Sequence, residues 1–349
     1  MKPENPSILK NEIYQQPLVV KELLEKEEKN IQKIAASLAG KFQYIVIAAR
    51  GTSDNAGVYA QYLFGYFNHY QVALATPSLY TYYQSPPGLK GALVIGISQS
   101  GQSPDIVSVL TEARKQGCPT LALVNDETSP LAQSCDAIIS LHAAPEKAVA
   151  ATKSYTAALA ALAALSCAIS HDETRFQELL QLPEKMQATI ELGEVIASLA
   201  ERYRYMEHCA VIGRGFSYTT AFEVALKIKE LSSVIAEPYS SADFRHGPIA
   251  TAIPGFPVVL IAPTGVVNED ISELHVELRR RKVEEIIISN DEQLLEEAQT
   301  PLPIAQSVPE WLSPLVSVIP GQLFAMNLAL VKGMNPDQPD GLTKITSTR

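Results

Sequence analysis

The sequence lacks several features that would identify it quickly, and each absence excludes a class of protein. Basic residues are outnumbered, 28 against 38 acidic, and the net charge is −10. A surface of that sign repels nucleic-acid phosphates, so no nucleic acid is expected as a partner, and an anionic ligand must be held by local donors. The four cysteines, Cys118, Cys135, Cys167 and Cys209, form no C-x-x-C pair and read as small apolar side chains in a reducing compartment. The stretch from Met1 to Glu28 is charged and has no apolar core, which excludes a secretory signal and makes the cytoplasm the expected address. The longest apolar run, Tyr155–Ile169, falls short of the roughly 20 residues of a membrane span; it predicts a buried core helix and no membrane contact. Charged residues reach only 19% and aromatics 7%, which fits neither a disordered chain nor a coiled coil. No His or carboxylate spacing suggests a metal site, and no cofactor is expected. Gly213-Arg214-Gly215 lacks the third glycine of a dinucleotide fingerprint.

What remains is a chain of 349 residues, 46% of them hydrophobic, enough for two domains with buried cores. Four short apolar runs mark the first half: Tyr44–Ala49, Ala92–Ile97, Thr120–Val124 and Ala137–Leu141. Continuous runs of this kind, bounded by turn residues, predict strands buried on both faces of a parallel sheet. The second half repeats the series as Ala210–Gly213, Val258–Ala262, Glu285–Ser289 and Leu315–Ile319. An offset of 164 carries Arg50-Gly51-Thr52-Ser53 onto Arg214-Gly215-Phe216-Ser217, and Ser98-Gln99-Ser100-Gly101 onto Ala262-Pro263-Thr264-Gly265. One residue further, Asn125-Asp126 falls on Asn290-Asp291. Three matches in order predict two copies of one α/β unit. The expected segments are a helical lead-in at 1–39, a first domain at 40–170, a helical connector at 171–204, a second domain at 205–334 and a tail at 335–349.

In open α/β sheets, ligands sit beyond the carboxyl ends of the strands. There the first half carries Ser98-Gln99-Ser100-Gly101-Gln102-Ser103-Pro104-Asp105. Pro104 suits the first turn of a helix, whose free N–H groups and positive dipole end attract a phosphate. Ser98, Ser100 and Ser103 add hydroxyls and Gln99 an amide. An ordinary capped loop would need none of these, and the second copy has Ala262 and Pro263 in place of Ser98 and Gln99. That asymmetry predicts a sugar-phosphate site in the first copy. Thr52 and Ser53 lie at the neighbouring strand end, with Gly51 allowing close backbone approach; a plain helix cap is the competing reading. Glu223, Lys227 and Glu230, at i, i+4 and i+7, share one helix face. Spacing alone leaves open whether that face is solvated or functional. His246 sits in the turn-like Arg245-His246-Gly247-Pro248, and Lys344 lies five residues from the end with nothing local to single it out.

A strand ending in Gly-Thr-Ser, followed by Ser-Gln-Ser-Gly at the end of the next, resembles the sugar isomerase (SIS) domain. Two copies resemble the isomerase half of glucosamine-6-phosphate synthase and its relatives. The likeness extends to Glu12-Ile13-Tyr14-Gln15-Gln16-Pro17, Ala150-Ala151-Thr152-Lys153, Ala225-Leu226-Lys227-Ile228-Lys229-Glu230, His246-Gly247-Pro248, Asp337-Gln338-Pro339 and Leu342-Thr343-Lys344. It implies two tandem SIS domains, each a flavodoxin-like three-layer sandwich with a parallel sheet flanked by helices. It implies that Thr52, Ser98, Gln99, Ser100 and Ser103 hold the phosphate, that Glu223 and Lys227 complete the sugar pocket, and that Val149 and Ala150 contribute to substrate binding. Glu230 would move a proton between C1 and C2. His246, reaching in from a partner subunit of a homodimer, would assist ring opening, and Lys344 would bond to or polarise the open-chain carbonyl.

The departures shape the expected reaction. The synthase has a glutaminase domain with a cysteine after the initiator methionine, whereas Lys2 follows Met1 here and about 40 residues precede the first strand. Glutamine is therefore not expected as the nitrogen source, and the same chemistry would run as deamination of glucosamine 6-phosphate to fructose 6-phosphate and ammonia. A fructosamine-6-phosphate deglycase, a simple phosphosugar isomerase and a non-catalytic sugar-phosphate sensor are the alternatives. Arg50 stands where the synthase has a cysteine, either to contact a ligand carboxylate or to brace the neighbouring loop, and Ala151 replaces a serine.

Overall fold

The computed structural model describes residues 7–344. Residues 1–6 and 345–349, the ends of the lead-in and of the tail, lie outside the described residues. The chain begins with α1 (Ile8–Tyr14), α2 (Gln16–Leu38), β1 (Tyr44–Ala48), α3 (Thr52–Asn68), β2 (Val72–Leu74) and α4 (Ser78–Thr81). It continues through β3 (Ala92–Ser98), α5 (Pro104–Lys115), β4 (Thr120–Val124), α6 (Pro130–Gln133), β5 (Ala137–Ser140) and α7 (Lys153–Ser170). Next come α8 (Glu173–Leu180), α9 (Leu182–Leu192) and α10 (Ile196–Ala200), with α8 capped by the Asp172 side chain. The second half holds β6 (His208–Gly213), α11 (Ser217–Ser232), β7 (Ile235–Ser240), α12 (Ser241–Arg245), β8 (Pro257–Ile261), α13 (Asn268–Arg281), β9 (Glu284–Ser289), α14 (Glu292–Glu297), β10 (Thr300–Pro303) and α15 (Ser313–Val331).

The duplication is visible in the topology. The first sheet runs β2-β1-β3-β4-β5 and the second β7-β6-β8-β9-β10, the same order in both halves, with every pairing parallel. Each sheet is a middle layer flanked by helices. Its central strands are buried apart from the first residues of β1, β6 and β9, as the unbroken apolar runs predict; β3, β4 and β8 expose no residue.

One predicted strand is wrong. Leu315–Ile319 lies within α15, a helix buried on nearly every side. A helix that is apolar all round shows no 3.6-residue period, so a five-residue window of it reads like a buried strand. The strand it displaced is β10, an edge strand with prolines at both Pro301 and Pro303. The edge strands β2 and β7 also lack a continuous apolar run and escape prediction, whereas the edge strand β5 coincides with the predicted Ala137–Leu141. β2 has no buried residue, with Ala73 exposed between half-buried Val72 and Leu74, and β7 is only partly buried and contains Pro238.

The chain divides into two compact units that do not follow chain order. One comprises Met1–Pro17, Lys147–Thr152 and Leu182–Leu342 and carries the second sheet; the other comprises Leu18–Glu146, Lys153–Gln181 and Thr343–Arg349 and carries the first. The lead-in is therefore split, with α1 in the unit of the second sheet and α2 in that of the first. Two helices, Lys153–Ser170 and Glu310–Val331, are long and apolar enough to cross a membrane, yet both are 83% buried within the fold and serve as core helices. Burial pushes the Cys167 and Cys209 thiols up to about 12, consistent with cysteines that fill space and do no chemistry.

One buried ionic cluster makes stability depend on pH. His275 on α13 is 2% exposed, with Nδ1 3.0 Å from Glu285 Oε1 and Nε2 3.2 Å from Glu297 Oε2. Glu297 also pairs with Arg279. Burial alone would push the imidazole's pKa down, but the hydrogen bonds and charges of Glu285 and Glu297 outweigh burial and raise it. A raised native pKa adds stability that is complete below the unfolded value of about 6.5 and is lost as pH rises through the native value. Urea midpoints of the parent should therefore fall as pH rises above about 6.5, more steeply than those of His275→Gln. Parallel pH profiles for the two proteins would contradict this.

Candidate active site

In the unit of the first sheet, two loops leave adjacent strand ends. Gly51, at φ 55° and ψ −128°, turns the chain from β1 into α3. Only glycine adopts that conformation without strain, and it brings Thr52 and Ser53 to the first turn of the helix. The second loop follows β3. Ser98, 8% exposed, accepts from Gly101 N at 3.0 Å, and Ser100 Oγ accepts from Gln102 N at 3.3 Å. Gly101 is required twice: its φ is +63°, and a Cβ there would collide with the Ser129 side chain. The loop is further pinned where Leu131 N donates to Gly101 O at 3.1 Å and Asn125 N to Gln99 O at 3.3 Å.

Ser103 is the N-cap of α5, with Pro104 next, yet its side chain makes no capping bond. A hydroxyl at a helix start that is not spent on the helix can serve a ligand. Its loss should leave stability unchanged and weaken phosphate binding. Ser103→Ala should raise the inhibition constant of inorganic phosphate roughly ten- to a hundredfold, the worth of a hydrogen bond to a charged group, with an unchanged urea midpoint. A lowered midpoint with unchanged inhibition would assign the hydroxyl to folding instead.

Arg50 braces the neighbouring loop. Its Nε lies 2.8 Å from the fully buried Oδ2 of Asp105, in the first turn of α5, and so ties the two loops together. Burial pushes the Asp54 carboxyl up, with Arg50 pulling the other way.

Lys344 belongs to the same unit. Its Nζ is 3.1 Å from Oε2 of Glu146, a carboxylate with no side-chain exposure that also accepts from Ser154 Oγ at 2.7 Å and Ser154 N at 3.2 Å. Lys344 is thus the cation of an ion pair, suited to donating a hydrogen bond to a carbonyl oxygen. Glu146 carries no sequence signal, because its lysine is 198 residues away.

In the unit of the second sheet, the helix trio is not a solvated face. On α11, Glu223 and Lys227 are fully buried. Lys227 Nζ lies 3.4 Å from Glu223 Oε1 and 2.5 Å from Glu230 Oε2. Burial alone would push the Lys227 ammonium's pKa down, but the two carboxylates outweigh burial and hold it above the usual lysine range. Glu230, with 26% of its side chain exposed, is the member that reaches outward, and one of its oxygens is fixed by a buried cation. Hence Glu223 and Lys227 act on the carboxylate of Glu230.

His246 is exposed and stands apart from the trio at the C-cap of α12. Gly247, at φ +135°, follows it, and Arg245 fixes the turn by bonding to Asp270 Oδ1 and Asp270 O, both at 2.8 Å. Val149 is half-buried and Ala150 buried. Their segment is held by Glu12 of α1, whose carboxylate accepts from Lys147 N at 2.5 Å and Ala148 N at 3.2 Å. At the head of the same helix, Asp337 accepts from Ser7 Oγ at 2.7 Å, Leu9 N at 2.8 Å and Ile8 N at 3.0 Å. Glu12 and Asp337 both lie within motifs of the family resemblance, and nothing in the sequence assigns either a role.

The family model described as SIS domain matches residues 41–168 and 204–332. The isomerizing glutamine–fructose-6-phosphate aminotransferase of Thermus thermophilus is 32% identical over 97% of this chain, which spans 58% of that relative's length. Among solved structures, the C-terminal domain of glucosamine-fructose-6-phosphate aminotransferase from Francisella tularensis superposes with a TM-score of 0.87 at 27% identity, covering 97% of this chain and 100% of that one. Glucosamine-6-phosphate deaminase from Thermotoga maritima shares the fold with a TM-score of 0.77 at 23% identity, over 98% of this chain and 100% of that one. With two sheets of one strand order and both copies matched, the chain belongs to the SIS domain family.

Proposed function

We propose that the chain is a phosphosugar enzyme that converts glucosamine 6-phosphate and water to fructose 6-phosphate and ammonia. The observation that carries this reading is Glu230, a partly exposed carboxylate fixed by a lysine buried between two carboxylates. Aldose–ketose chemistry needs a base of this kind for a carbon-bound proton. The loop Ser98–Ser103 holds the phosphate, with Thr52 and Ser53 beside it and Glu223 and Lys227 behind the base. His246, contributed by the partner subunit of a homodimer, assists ring opening, and the Lys344 ammonium polarises the carbonyl. Glu230 takes the proton from C2 of the open-chain amino aldose and returns it to C1. The amino group is left on C2 as an imine, which water hydrolyses to the ketose and ammonia. Water is the solvent, and released ammonia is captured as ammonium near neutral pH, so mass action favours this direction. The four free cysteines and the acidic surface suit a cytoplasmic enzyme.

The test is ammonia and ketose release from a panel of amino-sugar phosphates and fructosamine-6-phosphate adducts. Ammonia with fructose 6-phosphate from glucosamine 6-phosphate supports the reading. Preference for the adduct replaces it with a deglycase, and interconversion without ammonia replaces it with a plain isomerase. Binding with no turnover makes the chain a sensor.

A further inference from the structure

The duplication gives each sheet the same pair of strand-end loops. In the first half these are Gly51–Ser53 after β1 and Ser98–Ser103 after β3; shifted by 164 positions, the second half has Gly215–Ser217 after β6 and Ala262–Val267 after β8. Gly51 and Gly215 have matching φ values of 55° and 56°. Three side-chain donors did not survive: Ser98, Gln99 and Ser103 correspond to Ala262, Pro263 and Val267, while Ser100 and Ser53 correspond to Thr264 and Ser217.

A backbone donor did survive, and it is occupied. Val266 N donates to Glu310 Oε2 at 2.6 Å. Val266 precedes the N-cap of α13 as Gln102 precedes that of α5. Glu310 enters from the short turn Glu310–Leu312 ahead of α15. A Cβ on Gly265 would collide with the Glu310 carboxyl, and one on Gly215 would lie 3.7 Å from Glu310 Oε1. The carboxylate therefore lies between the two loops whose first-half counterparts flank the phosphate site. Gly101 and Gly265 align for different reasons: Gly101 has a left-handed φ, and Gly265 does not, so its missing side chain makes room for Glu310.

We infer that the second domain retains an anion site suited to phosphate or a phosphomonoester, and that the carboxylate of Glu310 fills it from within. The Val266 N–H and the positive end of α13 attract any anion. A tethered carboxylate has an effective concentration that free phosphate does not match, so the chain excludes the external ligand. Each chain thus offers one external anion site instead of two. This inference is independent of which reaction the first site serves.

The test compares the stoichiometry of inorganic phosphate, by calorimetric titration of the full chain, between the parent and its variants. Glu310→Ala should gain one equivalent of phosphate over the parent, and its thermal midpoint should climb with phosphate beyond the parent's. Glu310→Gln keeps an acceptor for Val266 N–H and should gain none. Glu310→Ser is a second opening variant. A folded Ala or Ser variant with the parent's stoichiometry overturns the inference. So does failure of both to fold in concentrated phosphate, since the incoming anion should restore what the carboxylate supplied.

Discussion

Glu230→Gln should lower turnover of glucosamine 6-phosphate by about 100- to 10,000-fold, the range of a lost general base, with little change in KM. Gln keeps the volume of Glu and a carbonyl oxygen to face the Lys227 ammonium, so the helix face should stay packed. Only the ability to hold a proton goes. The diagnostic readout is isotopic: in heavy water the parent should place solvent deuterium in the ketose product, and the variant should lose that exchange in step with turnover. Parent-like turnover in a folded Glu230→Gln would remove this residue from the proton transfer. A raised KM at unchanged kcat would make it a binding group.

Lys227→Met should cost about 3–5 kcal/mol of stability, the range for removing one partner of a buried ion pair. The lysine lies 3.4 Å from Glu223, whose side chain has no exposure, and without it that carboxylate is a buried charge lacking its cation. Burial is what sets the size of the effect, because the same spacing on a solvated face would be worth about 0.3–0.5 kcal/mol. The double variant Glu223→Gln/Lys227→Met should recover part of the loss, since it leaves only the partly exposed Glu230 carboxylate charged. Urea midpoints measure both steps. A single-variant loss below about 1 kcal/mol would mean that the carboxylate finds another partner or a proton.

The sequence made the central strands, the duplication and the first-domain loop readable, because buried parallel strands are unbroken apolar runs and the repeat could be checked at a fixed offset. Three of the four edge strands were not readable, β5 being the exception. Val72–Leu74, Ile235–Ser240 and Thr300–Pro303 are half-exposed or carry prolines, and the tightly apolar α15 mimicked a strand within its own length. In the site, Ser98–Ser103 could be singled out because adjacent residues do adjacent work. Spacing placed Glu223, Lys227 and Glu230 on one face, but whether that face met water depended on what packs over it. The partners Glu146 for Lys344, Glu12 for Lys147 and Glu310 for Val266 are paired only by the fold, across 198, 135 and 44 residues. No local pattern connects them.

The short helix α1 has a consequence for how the protein is made. Leu9 is translated 328 residues before Asp337, the carboxylate that caps this helix. At roughly 5–20 residues per second, on the order of half a minute separates the two on the ribosome. A seven-residue helix does not hold its shape alone for that time. The Glu12 carboxylate that grips Lys147 and Ala148 therefore settles only once Asp337 has been translated. The segment bearing Val149 and Ala150 thus becomes ordered only after Asp337 has been made, and a chain stopped before Asp337 carries both sheets and lacks a finished loop.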